Sequence, residues 1–222
     1  MVGAGESRRM GYIDKIVAPL GGIPLLAHCL SSFNESPSVH AISIATSRCN
    51  IERVRELVRK LAFEKAKYIV AGGARRQDST LNALRTLEGS EIVLVHDGAR
   101  PFVDEEMIEQ AVVVARESAA GTAAIPVKDT IKVVNPDMSV RETPSRESLW
   151  AAQTPQSFRY DLIIRAHTQI EDDVTDDAAM IEAVGHPVKL FMGSYDNIKV
   201  TTPEDLHIAE AILGSRREAK AN

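Results

Sequence analysis

The chain has 222 residues, 44% of them hydrophobic, with 26 basic against 31 acidic side chains and a formal charge of −5. That length supports one well-buried core, and the acidic balance excludes a broad nucleic-acid-binding face, so any bound anion should be small and held by a local basic cluster. Two cysteines, Cys29 and Cys49, and six scattered histidines support neither a disulfide framework nor a zinc site.

Only Met1 and Val2 precede the first glycine, Gly3, so the strand expected to lead into a phosphate loop is short. An N-terminally extended version is expected to be more stable, which a comparison of melting temperatures checks. The stretch Gly3-Ala4-Gly5-Glu6-Ser7-Arg8-Arg9-Met10-Gly11, followed by Lys15, joins a small-residue turn to fixed positive charges. Such a turn brings bare amides against an anion, and Arg9 and Lys15 can neutralise charge during phosphate transfer; a glycine-rich surface loop with solvated arginines has the same composition. The apolar stretch Ile16 to Ala27 is broken by Pro19, Gly21, Gly22 and Pro24, too short to span a bilayer. With no signal-peptide pattern, a cytoplasmic protein is expected.

Strand and helix patterns then alternate. Val39 to Ala45 reads as strand, Ile51 to Leu61 as helix, Tyr68 to Val70 as strand and Asp78 to Leu87 as helix. The wholly apolar run Ile92 to Val95 predicts a central parallel strand, followed by helix at Glu105 to Arg116 and strand at Thr122 to Val127. This βαβ repetition predicts a doubly wound α/β sandwich, read as one domain over 1–222. At about 128–150 short alternating strands around Asn135-Pro136-Asp137 predict a projecting hairpin arm, whose exposed strands a second subunit would cover. Helices are predicted at Tyr160 to Gln169, Asp176 to Ala183 and Glu204 to Leu213, strand at Val188 to Met192, and a frayed polar tail at 214–222.

Candidate site residues lie where strands end. In Val95-His96-Asp97-Gly98-Ala99-Arg100-Pro101, Asp97 can hold magnesium or a substrate hydroxyl and Arg100 can clamp a phosphate or polyol; His96 reads as structural. In Gly72-Gly73-Ala74-Arg75-Arg76-Gln77-Asp78-Ser79, paired glycines permit close approach and a helix begins with its positive end toward the same cleft. Lys199 is a lone lysine in the β-like run Asp196 to Thr201. No Ser-His-Asp or Cys-His set is evident.

The ordered set of these segments, with Asp129-Thr130-Ile131-Lys132, Gln153-Thr154-Pro155-Gln156, Thr175-Asp176-Asp177-Ala178 and Asp196-Asn197-Ile198-Lys199-Val200-Thr201, resembles the 2-C-methyl-D-erythritol 4-phosphate cytidylyltransferase family across nearly the whole chain. The resemblance implies a Rossmann-like nucleotidyltransferase sandwich with a β-arm, joining CTP and methylerythritol 4-phosphate with release of pyrophosphate and a requirement for Mg2+. It assigns Arg9, Lys15, Arg146 and Lys199 to catalysis. Gly3, Ala4, Gly5, Gly73, Ala74, Arg76 and Ser79 fall to the nucleotide, and Asp97, Arg100, Thr130 and Asp196 to the second substrate, with Asp97 also beside the metal. It further implies a homodimer in which the arm brings Thr130 and Arg146 to the neighbouring cleft, and no nucleic-acid or membrane partner. The residue types suit direct attack: a phosphate monoester is already ionised near neutral pH, so the site has to align two polyanions and relieve their repulsion. A ribitol-5-phosphate cytidylyltransferase, another nucleotidyltransferase of this fold, and a non-catalytic nucleotide-binding relative remain as alternatives.

Overall fold

A computed structural model describes residues 1–4 and 18–221. In chain order the elements are β1 (Val2–Gly3), the hairpin β2 (Pro19–Leu20) and β3 (Ile23–Pro24), α1 (Leu25–Glu35), β4 (Ile42–Thr46), α2 (Ile51–Lys60), β5 (Ala66–Ala71), α3 (Arg76–Arg85), β6 (Ile92–Val95), α4 (Glu105–Ser118) and β7 (Ala120–Pro126). The arm follows as β8 (Val133–Val134) and β9 (Val140–Glu142). Then come β10 (Trp150–Arg159), α5 (Tyr160–Gln169), α6 (Asp177–Ala183), β11 (Lys189–Met192) and α7 (Pro203–Ala221).

β1, β4 and β5 form a parallel ladder in the order β1-β4-β5, and β6 belongs to a second sheet in the order β11-β7-β10-β6. β1 joins the two: the Val2 amide donates to the His96 carbonyl at 2.8 Å, and Val2 also bridges Asp97 in parallel. The first strand is thus a two-residue element set between β4 and the end of β6. Alternation along the strands sends side chains to opposite faces. Leu94 packs with Ile44 of β4, Leu30 of α1 and Ile108 of α4, while Val93, Val95 and Phe158 pack with Leu84, Ile163 and Ile181 of α3, α5 and α6. Helices cover both faces, as a doubly wound sandwich requires.

Several elements depart from the sequence pattern. β6 pairs antiparallel with β10, where a purely parallel neighbourhood was predicted. β10 is ten residues long and was not predicted at all, because Ala151, Ala152, Gln153, Pro155 and Gln156 carry little strand propensity. It forms because Gln153, Thr154, Gln156 and Ser157 are buried, three of them with hydrogen-bond partners in surrounding loops. α1 was also missed; it starts directly behind Pro24, which fits a helix entry, and buries Leu26, Leu30 and Phe33.

The tail expected to fray from Gly214 is instead helical through Ala221. A mid-helix glycine costs roughly 1 kcal/mol against alanine, and contacts beyond it offset that. Arg216 lies over the Phe102 ring at 5.1 Å and pairs with Asp196 at 3.6 Å, and Arg217 donates to the Gly21 carbonyl at 3.4 Å. Gly21 and Gly22 turn the β2–β3 hairpin with φ of 57° and 87°, a conformation that favours glycine. The hairpin and α7 share a small core of Leu20, Leu25, Phe102, Val200 and Ala209. Among the described residues no helix is long and apolar enough to cross a membrane.

Candidate active site

The carboxyl ends of β1, β5 and β6 meet at one rim, where an open α/β sheet gathers ligands. Ala4 follows β1 and faces Gly72: a β-carbon on Gly72 would collide with the β-carbon of Ala4 and crowd Ser79 Oγ. Only glycine lets the two backbones approach this closely. Ser79 Oγ accepts the Gly73 amide at 3.0 Å and donates to the Arg75 carbonyl at 3.1 Å, which fixes the turn into α3. Gly3, Ala4, Gly73, Ala74 and Ser79 therefore give one side of the rim small groups and backbone. Gly5, Arg9 and Lys15 lie outside the described residues.

Beside this wall sits Asp97, 7% exposed, with three cations around it. Lys199 Nζ is 2.7 Å from Oδ2, Arg76 donates to Oδ1 at 3.3 Å, and Arg100 Nε is 3.9 Å from Oδ2. Burial alone would raise the Asp97 pKa; the Arg76 and Lys199 charges outweigh it and hold the carboxyl well below the usual carboxylate range. Arg76 also binds Asp177, which is fully buried at the start of α6, and His167 Nε2 lies 3.4 Å from the other Asp177 oxygen. Burial pushes the Asp177 carboxyl up, but His167 and Arg76 together leave it lowered. Arg100 donates to the Asn197 carbonyl at 2.7 Å, which ties the loop after β6 to the Lys199 segment.

Three side chains of β10 anchor the loops that carry these groups. Gln153 donates to the Ser194 carbonyl and accepts from Asn197 Nδ2, holding the segment before Lys199. Thr154 accepts the Asp97 amide at 3.1 Å. Gln156 accepts the amides of Asp177 and Ala178 and donates to Asp176, whose carboxylate caps α6 by accepting the Ala179 amide at 2.9 Å. An ionised Asp97 flanked by Arg76, Arg100 and Lys199 forms a floor with an excess of positive charge, which can receive phosphate oxygens.

His96 is buried behind Asp97, and burial pushes its pKa down from 6.5 to about 4. Since the folded value lies below the unfolded one, stability is fully present above pH 6.5 and declines as pH falls toward 4. Urea midpoints are expected to drop between pH 7 and 4.5, with a shallower drop in His96→Gln; equal slopes would remove His96 as the source.

The structure brings together most of the predicted residues it describes. Gly3, Ala4, Gly73, Ser79, Arg76, Asp97, Arg100 and Lys199 share the rim. Arg76 was assigned to the nucleotide, yet its guanidinium lies between Asp97 and Asp177, so its visible work is to set the Asp97 carboxylate. Asp196, predicted to touch the second substrate, pairs with Arg216 instead. Thr130 and Arg146 are exposed on the arm; Arg146 donates to the Lys128 carbonyl at 2.7 Å, and Lys128 sits 3.6 Å over the Tyr195 ring. Sequence reasoning gave no role to Asp177, His167, Gln153, Thr154 or Gln156. The paired acids ahead of a short helix and the two glutamines bracketing Thr154-Pro155 were the available signals.

A glycine wall beside a cation-ringed carboxylate at the sheet's carboxyl rim defines an enzyme of the nucleotidyltransferase class. A sequence profile of the 2-C-methyl-D-erythritol 4-phosphate cytidylyltransferase family matches residues 1–215, and the chain belongs to that family. It is 45% identical over 226 residues to the protein so named in Alkaliphilus oremlandii, covering 99% of this chain and 96% of that one. The Dehalococcoides mccartyi protein of that name is 45% identical over 217 residues, covering 98% and 96%. Among solved structures, the 4-diphosphocytidyl-2C-methyl-D-erythritol synthase of Anaerococcus prevotii matches with a TM-score of 0.84 at 32% identity, covering 96% of this chain and 93% of that one. The 2-C-methyl-D-erythritol 4-phosphate cytidylyltransferase of Thermus thermophilus matches with a TM-score of 0.77 at 29% identity, covering 95% and 96%.

Proposed function

We propose that this enzyme transfers CMP from CTP to 2-C-methyl-D-erythritol 4-phosphate, giving 4-diphosphocytidyl-2-C-methyl-D-erythritol and pyrophosphate, a step of isoprenoid precursor synthesis. The observation that carries it is the convergence of Arg76, Arg100 and Lys199 on Asp97 next to the small-residue wall. The acceptor phosphate oxygen attacks the α-phosphorus of CTP as the bond to the pyrophosphate oxygen breaks; the nucleophile is already ionised, so no protein base is needed. Lys199 and Arg100 face the acceptor and orient it for in-line attack, and Gly3, Ala4, Gly73, Ala74 and Ser79 take the cytidine. Arg9 and Lys15 are assigned to the α-phosphate and the departing pyrophosphate.

Mg2+ fits the chemistry of this donor set. Asp97 is a hard oxygen ligand held ionised, and magnesium is commonly bound by one or two carboxylates together with substrate phosphates. Asp97 would hold it, and the ion would neutralise charge on the phosphates. The arm is assigned to a homodimer contact that carries Thr130 and Arg146 toward the neighbouring cleft. Its exposed Ile131, Val134, Met138 and Val140 give that contact an apolar face.

A pyrophosphate-release assay tests the reading. With CTP, Mg2+ and methylerythritol 4-phosphate, turnover is expected, and ribitol 5-phosphate is expected to be a poor acceptor. Faster turnover with ribitol 5-phosphate would reassign the acceptor, and no release with either would overturn the activity.

A further inference from the structure

His96 is 1% exposed and lies behind the rim, yet it brackets the turn that carries two rim side chains. The ring's Nε2 lies 3.0 Å from the Arg100 carbonyl, and its Nδ1 lies 3.0 Å from Thr154 Oγ1. A carbonyl only accepts, so Nε2 carries the proton. Thr154 Oγ1 already accepts the Asp97 amide at 3.1 Å and has one proton of its own to give. A bare Nδ1 is the acceptor that satisfies it, so the Asp97 amide, the Thr154 hydroxyl and both imidazole nitrogens each have a partner. The Asp97–Arg100 turn is therefore held at its first residue through Thr154 and at its last through Nε2, with the Arg100 amide donating to the Asp97 carbonyl at 3.0 Å between them. Thr154 is itself fixed, because its carbonyl accepts Asn197 Nδ2 at 2.8 Å.

We propose that His96, as the Nε2–H tautomer, and Thr154 are positioning residues for the cytidylyl transfer, a clamp that sets the separation of the Asp97 carboxylate and the Arg100 guanidinium. The proposal rests on the activity given above. The two groups are buried, 1% and 4% exposed, and act through a turn whose displacement by a fraction of an ångström misaligns the acceptor and its counter-charge.

The test compares Thr154→Val, Thr154→Ser and His96→Gln with the wild-type enzyme. Valine matches threonine in shape and removes both hydroxyl bonds, serine keeps them, and glutamine keeps a donor toward the Arg100 carbonyl. Thr154→Val is expected to lower kcat ~10- to 100-fold with little change in the KM for CTP, as misplacement of reacting groups does. Thr154→Ser should recover most of the loss and His96→Gln should fall between. Nitrogen-15 spectra of the wild-type imidazole at neutral pH should show the Nε2–H form. Wild-type kcat in Thr154→Val, even with a lower melting temperature, overturns the proposal, as does an Nδ1–H imidazole. Should Thr154→Val fail to fold, kcat of His96→Gln decides in the same way. An inactive wild-type enzyme would strike the assigned reaction, and the tautomer would still decide whether the clamp exists.

Discussion

Asp97→Asn is expected to lower kcat by at least ~100-fold, the scale seen when one preorganised electrostatic group is removed from a transition-state site. The amide is the same size and fits the same pocket, so the loss isolates the charge. In the native site the carboxylate stays ionised because Arg76, Lys199 and Arg100 surround it, and it in turn holds Lys199 Nζ at 2.7 Å. Without that charge Lys199, 39% exposed at its side chain, is free to turn toward solvent, and the carboxylate proposed to hold magnesium is gone. Steady-state kinetics should show the effect in kcat with the KM for CTP little changed. A loss below tenfold would mean that Asp97 is neither the metal ligand nor the anchor of Lys199.

Asp177→Ala should be the most damaging single truncation for stability. Asp177 is fully buried, and its removal leaves Arg76 with Asp97 as its remaining carboxylate and His167 without its neighbour. Breaking a buried pair from one side costs about 3–5 kcal/mol, because an uncompensated charge is left behind. For a chain of this length that corresponds to a melting temperature lower by roughly 6–20 °C. Scanning calorimetry checks it; a drop under about 1 kcal/mol would mean that water replaces the carboxylate at no cost. The same variant should lose activity, since Arg76 is what links Asp177 to Asp97.

The helix at Tyr160–Gln169 was legible to the residue because Leu162, Ile163 and Ala166 repeat at helical spacing between a polar entry and exit. The run at Ile92–Val95 was legible for its uninterrupted apolar side chains, but its neighbour was not. Pattern reports burial, and β10 buries polar groups whose partners are distant in sequence, so nothing local marks Gln153, Thr154 or Gln156 as interior. The rim showed the same division. Asp97, Arg100 and Lys199 were readable as a charged set at strand ends, because the loops that leave the carboxyl ends of an open α/β sheet gather at one rim. The ion pairs of Arg76 were not legible, since its partner Asp177 lies 101 positions away and becomes adjacent only in the fold.

Within four residues of one strand, Gln153, Thr154 and Gln156 each hold a different loop: the segment ahead of Lys199, the Asp97 turn and the start of α6. Those loops consequently share a single frame of reference, and their relative drift is limited to side-chain torsions. An inherited substitution in any one of them is tolerated only if it leaves its tether intact, so divergence toward a new acceptor has more freedom at residues standing off this strand. The arm is of that kind: Arg146 is fastened to the arm's own backbone at Lys128, so changes along the hairpin leave the three tethers in place.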